Sequence, residues 1–378
     1  MPLSYPCLAP HPRNPRSPRN PRSPRNPRSP RRVACLLTAV ALAGALVSCS
    51  DDSGSGRNSD GAHSSPPSGT IELEGATVVP DVPRDEVADG FVERFVYPVR
   101  EGAPDPTQNW ADFYLPEGEH DEDTVPLVVF IHGGAWHGGA PGSRHIAADL
   151  ASRGLAVLNV EYRDVSEGGG WPQTFTDVAD ALDYIPSIDK RHPEITIDDE
   201  TVVGHSAGAQ LAAWAGTRGD LETGTLGADP KFTPNRVVSL SGPLDLAWAA
   251  EHGDDNIVKA MKGTPAELPQ RYGSIDPIQN INRHIPVVAV HGTADTLVPP
   301  ANSQHYVDAV TRDGGNAKLV MLRDEDHTSF LKNSSRHYRR VLEIIHRVTT
   351  LSHEDLGNRL DGGTTELAEE RNEERPGA

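Results

Sequence analysis

Sulfur is scarce in this chain of 378 residues, which has three cysteines and three methionines. Cys7, Cys35 and Cys49 all lie in the first 49 residues, so the segment beyond them holds no internal disulfide and no cysteine-based metal site. The 16 histidines include no pair in H-x-x-x-H spacing, and neither a metal nor another cofactor is expected. Basic charge is equally sparse after residue 48. Residues 1–48 carry eight arginines and no acid, leaving 27 basic against 54 acidic residues downstream, a net charge of −27 there. A surface that acidic repels phosphate backbones, so no nucleic-acid partner is expected, and small neutral or cationic substrates fit better. Long apolar runs are missing as well. The strongest, 33–47, has 15 uncharged residues where a membrane-spanning helix needs roughly 20.

That run is preceded by three copies of Pro-Arg-Asn-Pro-Arg-Ser over 12–29, a low-complexity basic stretch that cannot bury a core, and by Arg31-Arg32. Basic residues followed by a short apolar run form an export signal rather than an anchor. The run ends in Leu46-Val47-Ser48-Cys49, which resembles the bacterial lipobox; by that resemblance Cys49 becomes the lipidated N-terminus and the protein an exported, membrane-anchored lipoprotein of the cell envelope. The chain then divides into a basic n-region with signal peptide (1–48), the lipidated cysteine with a Ser/Gly/Asp/Pro-rich tether (49–80), a catalytic domain (81–351) and an acidic disordered tail (352–378).

Within 81–351, strand and helix patterns alternate. Segments 91–96 and 112–115 read as early antiparallel strands, and 126–131, Pro-Leu-Val-Val-Phe-Ile, as a strand buried on both faces. Further strands are expected at 155–160, 200–203, 236–240, 285–290 and 317–322, with helices near 144–153, 176–185, after 208, and 334–348. This βαβ rhythm predicts a mostly parallel eight-stranded sheet with helices on both faces. Residues 245–284 break the rhythm and are expected to form a small cap or insertion over the sheet edge.

Two glycine-rich turns sit where strands end. Gly204-His205-Ser206-Ala207-Gly208 joins the strand ending at Val203 to an alanine-rich helix, the context of a nucleophile elbow, in which flanking glycines let the backbone turn sharply and expose the serine. His132-Gly133-Gly134-Ala135-Trp136 follows the strand ending at Ile131, where glycines let backbone N–H groups turn toward one point, as an oxyanion requires. A serine hydroxyl is a weak nucleophile until a histidine takes its proton and a carboxylate orients that histidine. Chain order Ser–Asp–His, each at a strand's carboxyl end, selects Asp295 after the strand ending at Val290 and His327 after the one ending at Leu322. Asp245 is the alternative acid, with His305 and His337 as weaker alternative bases. His132, His137 and His205 read as loop and packing residues.

Together, HGGAW and GHSAG make residues 90–350 resemble an α/β-hydrolase serine esterase. They are closer to the HGGxW branch, with its arylformamidase-like enzymes and bacterial carboxylesterases, than to the hormone-sensitive-lipase branch, which has HGGG and an acidic residue before the nucleophile. The resemblance implies an α/β-hydrolase fold, a Ser206–Asp295–His327 triad, an oxyanion hole from Gly133, Gly134 and Ala207, and hydrolysis of a small-molecule carboxylic ester without metal or cofactor. An arylformamidase-type amidase is the alternative implied, and a non-catalytic binding module on the same fold is a third reading, against which all three triad residues are present.

Overall fold

The computed structural model of the protein describes residues 71–73, 76–79, 90–100 and 102–361. Its sheet has ten strands: β1 (Ile71–Leu73), β2 (Ala76–Val79), β3 (Phe91–Val96), β4 (Trp110–Tyr114), β5 (Val125–Ile131), β6 (Ala156–Val160), β7 (Ile195–His205), β8 (Arg236–Leu240), β9 (Val287–Gly292) and β10 (Ala317–Leu322). They lie in the order β1-β2-β3-β4-β6-β5-β7-β8-β9-β10. The first four strands form an antiparallel meander, β4 meets β6 antiparallel, and every pairing from β6 through β5 to β10 is parallel.

The mostly parallel α/β architecture stands, with two strands more than the eight expected. The extra pair, β1 and β2, falls inside 49–80, which the sequence reading assigned to the tether. Their short Ile-Glu-Leu and Ala-Thr-Val-Val runs extend the meander by pairing β2 with β3, Val78 opposite Phe95. A second correction concerns the tail. Residues His353–Asp361 form a helix inside 352–378, with Leu356 and Leu360 buried against the domain and Ser352 accepting from the Asp355 N–H at its start. The S-x-x-D start and the i, i+4 leucines explain why this acidic stretch folds.

Strand alternation decides where the helices go. On one face Leu127, Val129, Ile131, Val202, Val237, Val287 and Ala289 pack with α2 (Gln173–Asp183), α3 (Ile185–Arg191), α4 (Ala207–Thr217) and α8 (Ala301–Arg312). On the other, Val128, Phe130, Val203, Val238, Val288 and Val320 pack with α1 (Arg144–Ala151), α9 (Tyr338–Thr350) and α10 (His353–Asp361). Residues one apart in a strand face opposite ways, so uninterrupted apolar runs such as β5 supply both layers.

Between β8 and β9, where the rhythm breaks, lie three short helices, α5 (Leu246–Glu251), α6 (Asp255–Met261) and α7 (Pro269–Ile275). They are seated on a helical layer: Trp214 and Gln210 of α4 donate to the carbonyls of Ser274 and Ile275. The chain passes from β5 to β6 on one side and returns to β7 on the other, so the carboxyl ends of β5 and β7 lie together at the point where the winding reverses. In doubly wound sheets that crevice is where ligands bind.

Candidate active site

The turn after β7 is forced by lack of space. A Cβ on Gly204 would stand 2.0 Å from the Gly208 carbonyl oxygen, and one on Gly208 would stand 2.1 Å from that of Ile131. Only glycine lets strand, turn and helix approach so closely. Ser206 at the tip has φ 53° and ψ −120°, a conformation side-chain-bearing residues rarely adopt, which places strain at the tip of the turn. Helix α4 begins with the next residue, and all eleven of its positions are buried. Its Ala207 N–H belongs to the first turn, where no helical carbonyl is available to accept it.

His327, on the loop after β10, joins the two other residues chosen from sequence. Its Nδ1–H donates to Asp295 Oδ2 at 2.7 Å, and its Nε2 accepts from Ser206 Oγ at 2.8 Å. Ser206, Asp295 and His327 are all at least nine-tenths buried. Asp295 Oδ1 accepts the N–H groups of Leu297 and Val298, each at 2.9 Å, while Oδ2 also lies 3.2 Å from His291 Nε2. Burial pushes this carboxyl upward, but hydrogen bonds from His291, His327 and Val298 outweigh it and hold Asp295 well below the usual carboxylate range. A carboxylate held in this way can accept from and orient an imidazole.

The alternatives are engaged elsewhere. Asp245 caps α5 by accepting from the Trp248 N–H at 3.1 Å, and its other oxygen faces His305 Nδ1 at 3.3 Å. His337 Nδ1 donates to Glu325 Oε1 at 2.8 Å.

The glycine loop after β5 is folded tightly against the elbow. A Cβ on Gly133 would lie 2.7 Å from the His205 carbonyl oxygen and 3.0 Å from Ser206 Cβ. Gly134, Ala135 and Trp136 follow with φ of 107°, 55° and 61°, a run of left-handed residues that turns the chain back on itself. His132 fixes the base of this loop. Its Nδ1 donates to the Gly133 carbonyl and its Nε2 faces Glu161 Oε1, both at 2.8 Å, and its ring stacks on Tyr162 at 4.1 Å. Glu161 is buried and also accepts from the Ala140 N–H. His137 stays at the surface beside Asp164, as a loop residue.

Three side chains support the site in ways the sequence does not indicate, and His205 among them reads from sequence only as a packing residue. Glu161 follows β6, Glu325 lies two residues before His327, and His205 precedes the nucleophile. Glu325 gathers Ser329, Ser335 and His337 around one carboxylate, and its carbonyl accepts from Ala294 next to Asp295, so it ties both acid and base loops together. Glu161 and His205 share a signal, a polar residue at the carboxyl end of a buried strand. Among the described residues no group of histidines, cysteines or carboxylates has the arrangement of a metal site.

Beside the loop lies a cavity of about 440 Å³ bordered by Gly133, His205, Thr328, Leu331 and Ile146, open to solvent and mostly apolar. It brings room for an organic group next to the loop that carries His327.

A family model described as BD-FAE matches residues 111–310, a span that holds the glycine loop, Ser206 and Asp295 and stops short of His327. The chain is similar to the probable isoprenylcysteine alpha-carbonyl methylesterase ICMEL1 of Arabidopsis thaliana, 26% identical over 253 residues, 61% of this chain and 51% of that protein. It is similar also to isoprenylcysteine alpha-carbonyl methylesterase ICME of the same plant, 28% identical over 254 residues, 61% of this chain and 57% of that one. The chain thus spans about half the length of the curated relatives it matches. Among solved structures it is similar to a truncated carbohydrate esterase from gut microbiota, with TM-score 0.57 and 21% identity across 70% of this chain and 99% of that one. That likeness speaks for the α/β-hydrolase fold. With more than half of its residues inside the matched span, the chain belongs to the BD-FAE family.

Proposed function

We propose that the protein is a serine hydrolase that cleaves carboxylic esters of small molecules through an acyl-enzyme. The observation that carries this reading is the unbroken line of hydrogen bonds from Ser206 Oγ through His327 to Asp295. Ser206 attacks the ester carbonyl as His327 Nε2 takes its proton, and Asp295 stabilises the imidazolium that forms. The N–H groups of Gly133, Gly134 and Ala207 receive the oxyanion. The imidazolium then protonates the departing alcohol, and water, activated by the same histidine, releases the acid and restores Ser206. The methylesterase names of the curated relatives support a carboxylic ester as substrate.

The HGGAW loop and GHSAG elbow favour the HGGxW branch, and with it a second reading as an arylformamidase-type amidase. One assay separates the two. Nitrophenyl esters of graded acyl length and N-formylkynurenine are offered to the wild type and to Ser206→Ala. Ester turnover by the wild type and none above background by the variant is the expected result. Preference for the formamide would move the assignment to the amidase, and equal rates in both proteins would refute a serine mechanism.

Export and a lipid on Cys49 belong to the same proposal, since an enzyme at the cell envelope meets exogenous esters. Cys49 lies outside the described residues, and the support is the sequence pattern of 31–49. Metabolic labelling with a fatty acid, combined with fractionation, is expected to place labelled wild type with membranes and to show no label on Cys49→Ser. Label on that variant would place the lipid on another residue, and an unlabelled wild type in the soluble fraction would leave an ordinary secreted hydrolase.

A further inference from the structure

Asp295 is held by two imidazoles, of which the mechanism above uses one. His291 belongs to β9, where Val287 and Ala289 face the layer that contains α8, and alternation sends His291 to the same side. It is completely buried. A buried imidazole is costly unless both nitrogens find partners, and here they do. Nδ1 lies 2.7 Å from Ser303 Oγ on α8, and Nε2 lies 2.9 Å from the Val298 carbonyl and 3.2 Å from Asp295 Oδ2.

These partners fix the tautomer. A backbone carbonyl only accepts, so Nε2 carries the proton, and the Ser303 hydroxyl donates to Nδ1. The Nε2–H is shared between Val298 and Asp295 Oδ2, the oxygen that receives His327. Asp295 therefore has four donors on two oxygens: Leu297 and Val298 on Oδ1, His291 and His327 on Oδ2. A histidine that merely filled the core would have no reason to aim its single proton at the carboxylate that orients the base.

We propose that His291 is a positioning residue for ester hydrolysis, whose Nε2–H fixes the plane of the Asp295 carboxylate and divides the charge of Oδ2 between two imidazoles. This rests on the reading of Ser206, His327 and Asp295 as the catalytic set. Two consequences follow. Without His291 the Oδ2 side of the carboxylate is held by His327 alone while Leu297 and Val298 keep Oδ1, so the carboxylate plane can tilt, His327 loses alignment toward Ser206 and turnover falls while substrate binding persists. In addition, Oδ2 then presents its full charge to His327 alone, which favours the imidazolium. The acid limb of the rate profile accordingly moves to higher pH. The titratable groups that face His327 are Asp295, from the loop after β9, and His205, at the end of β7; His291 reaches it through Asp295.

The test compares His291→Phe, His291→Gln and Ser303→Ala with the wild type, and includes Ser206→Ala as a control. For each, kcat, KM and the acid limb of kcat/KM are measured with one nitrophenyl ester, and circular dichroism checks the fold. For His291→Phe the expected result is a kcat lowered roughly tenfold, an almost unchanged KM and an acid limb displaced upward. His291→Gln, whose amide N–H can occupy the place of Nε2–H, should recover most of the turnover and return the limb toward the wild type. Ser303→Ala, which leaves Nδ1 without its donor and loosens the ring while the Val298 carbonyl keeps the proton on Nε2, should shift the limb in the same direction by less, and it carries the test if His291→Phe does not fold. Equal losses in Phe and Gln with an unmoved limb, or an unmoved limb in Ser303→Ala, would reduce His291 to a packing residue. If Ser206→Ala is inactive, either result counts against the positioning role alone; if it is active, the serine mechanism itself has failed.

Discussion

His205, the residue immediately before Ser206, donates its Nε2–H to the backbone carbonyl of His327 at 2.9 Å. The loop bearing His327 is thus tied to the strand end that carries Ser206, and the two imidazole rings lie 5.0 Å apart. Burial, and then the neighbouring His327, push the His205 imidazole down to about 4, so it remains a neutral donor through the working range. A packing residue by its position in the sequence is thereby a strut in the structure.

Removing that strut loosens the base without touching it. His205→Leu should lower kcat by roughly tenfold or more while KM changes little, because small displacements of aligned groups are costly in rate. Steady-state kinetics on a nitrophenyl ester, with the fold checked by circular dichroism, decides the matter. A wild-type kcat in this variant would show that the 2.9 Å bond does not position His327.

The acid of the triad can be assigned by two amide substitutions. Asp295→Asn replaces one carboxylate oxygen by a donor that faces imidazole N–H groups, so turnover should fall by about 10⁴-fold. Asp245→Asn should leave turnover nearly intact, since asparagine caps a helix as well as aspartate does and the Trp248 N–H keeps its acceptor. The opposite pattern of rates would hand the acid role to Asp245.

How much of this site could be read beforehand follows from distance along the chain. Ser206, Asp295 and His327 each stand just past an apolar run, and a sheet of parallel strands collects such positions at one edge, so chain order was enough to bring them together. Their supports were hidden because each needs a partner known only after folding: Glu161 meets His132 across 29 residues, and His205 meets His327 across 122. Local polarity carries no trace of such pairings. The two strands before residue 80 and the helix from His353 to Asp361 were obscured differently. Both lie in stretches whose average composition is polar, and a few apolar residues placed against an existing edge or face suffice to fold them.

Space at the elbow gives a prediction independent of chemistry. In Gly208→Ala the new methyl would lie 2.1 Å from the Ile131 carbonyl oxygen and 2.4 Å from that of His132, both backbone atoms that cannot swing away. The variant should lose about 4 kcal/mol or more, so that it unfolds at far lower urea or yields no folded protein at all. Gly142→Ala meets nothing within 4 Å and should stay within about 0.5 kcal/mol of the wild type. Urea denaturation of the two proteins side by side tests this, and a Gly208→Ala enzyme of ordinary stability would mean the strand and helix can separate at the elbow.

Acid stability should depend on two buried groups that work in opposite directions. Asp276 is fully buried at the start of α5, where it accepts the N–H groups of Leu246 and Ala247; burial outweighs these bonds and pushes its carboxyl from 3.8 up to about 6. Between those values the folded state binds the proton that the unfolded chain has released, so this group adds stability as pH falls from about 6 toward 3.8. His205 does the reverse. Its imidazole goes from 6.5 down to about 4, so the unfolded chain binds the extra proton and stability is lost as pH falls through that window. Each contributes up to about 3 kcal/mol, and in the wild type they largely cancel. Asp276→Asn should unmask His205 and become steeply acid-sensitive between pH 6.5 and 4. His205→Leu should unmask Asp276 and gain stability over the same range, and the double variant should return to the wild-type slope. Urea midpoints at pH 4.5, 5.5, 6.5 and 7.5 provide the readout. Four parallel profiles would mean that neither burial perturbs its group, and identical slopes in the two single variants would mean that their windows do not oppose each other.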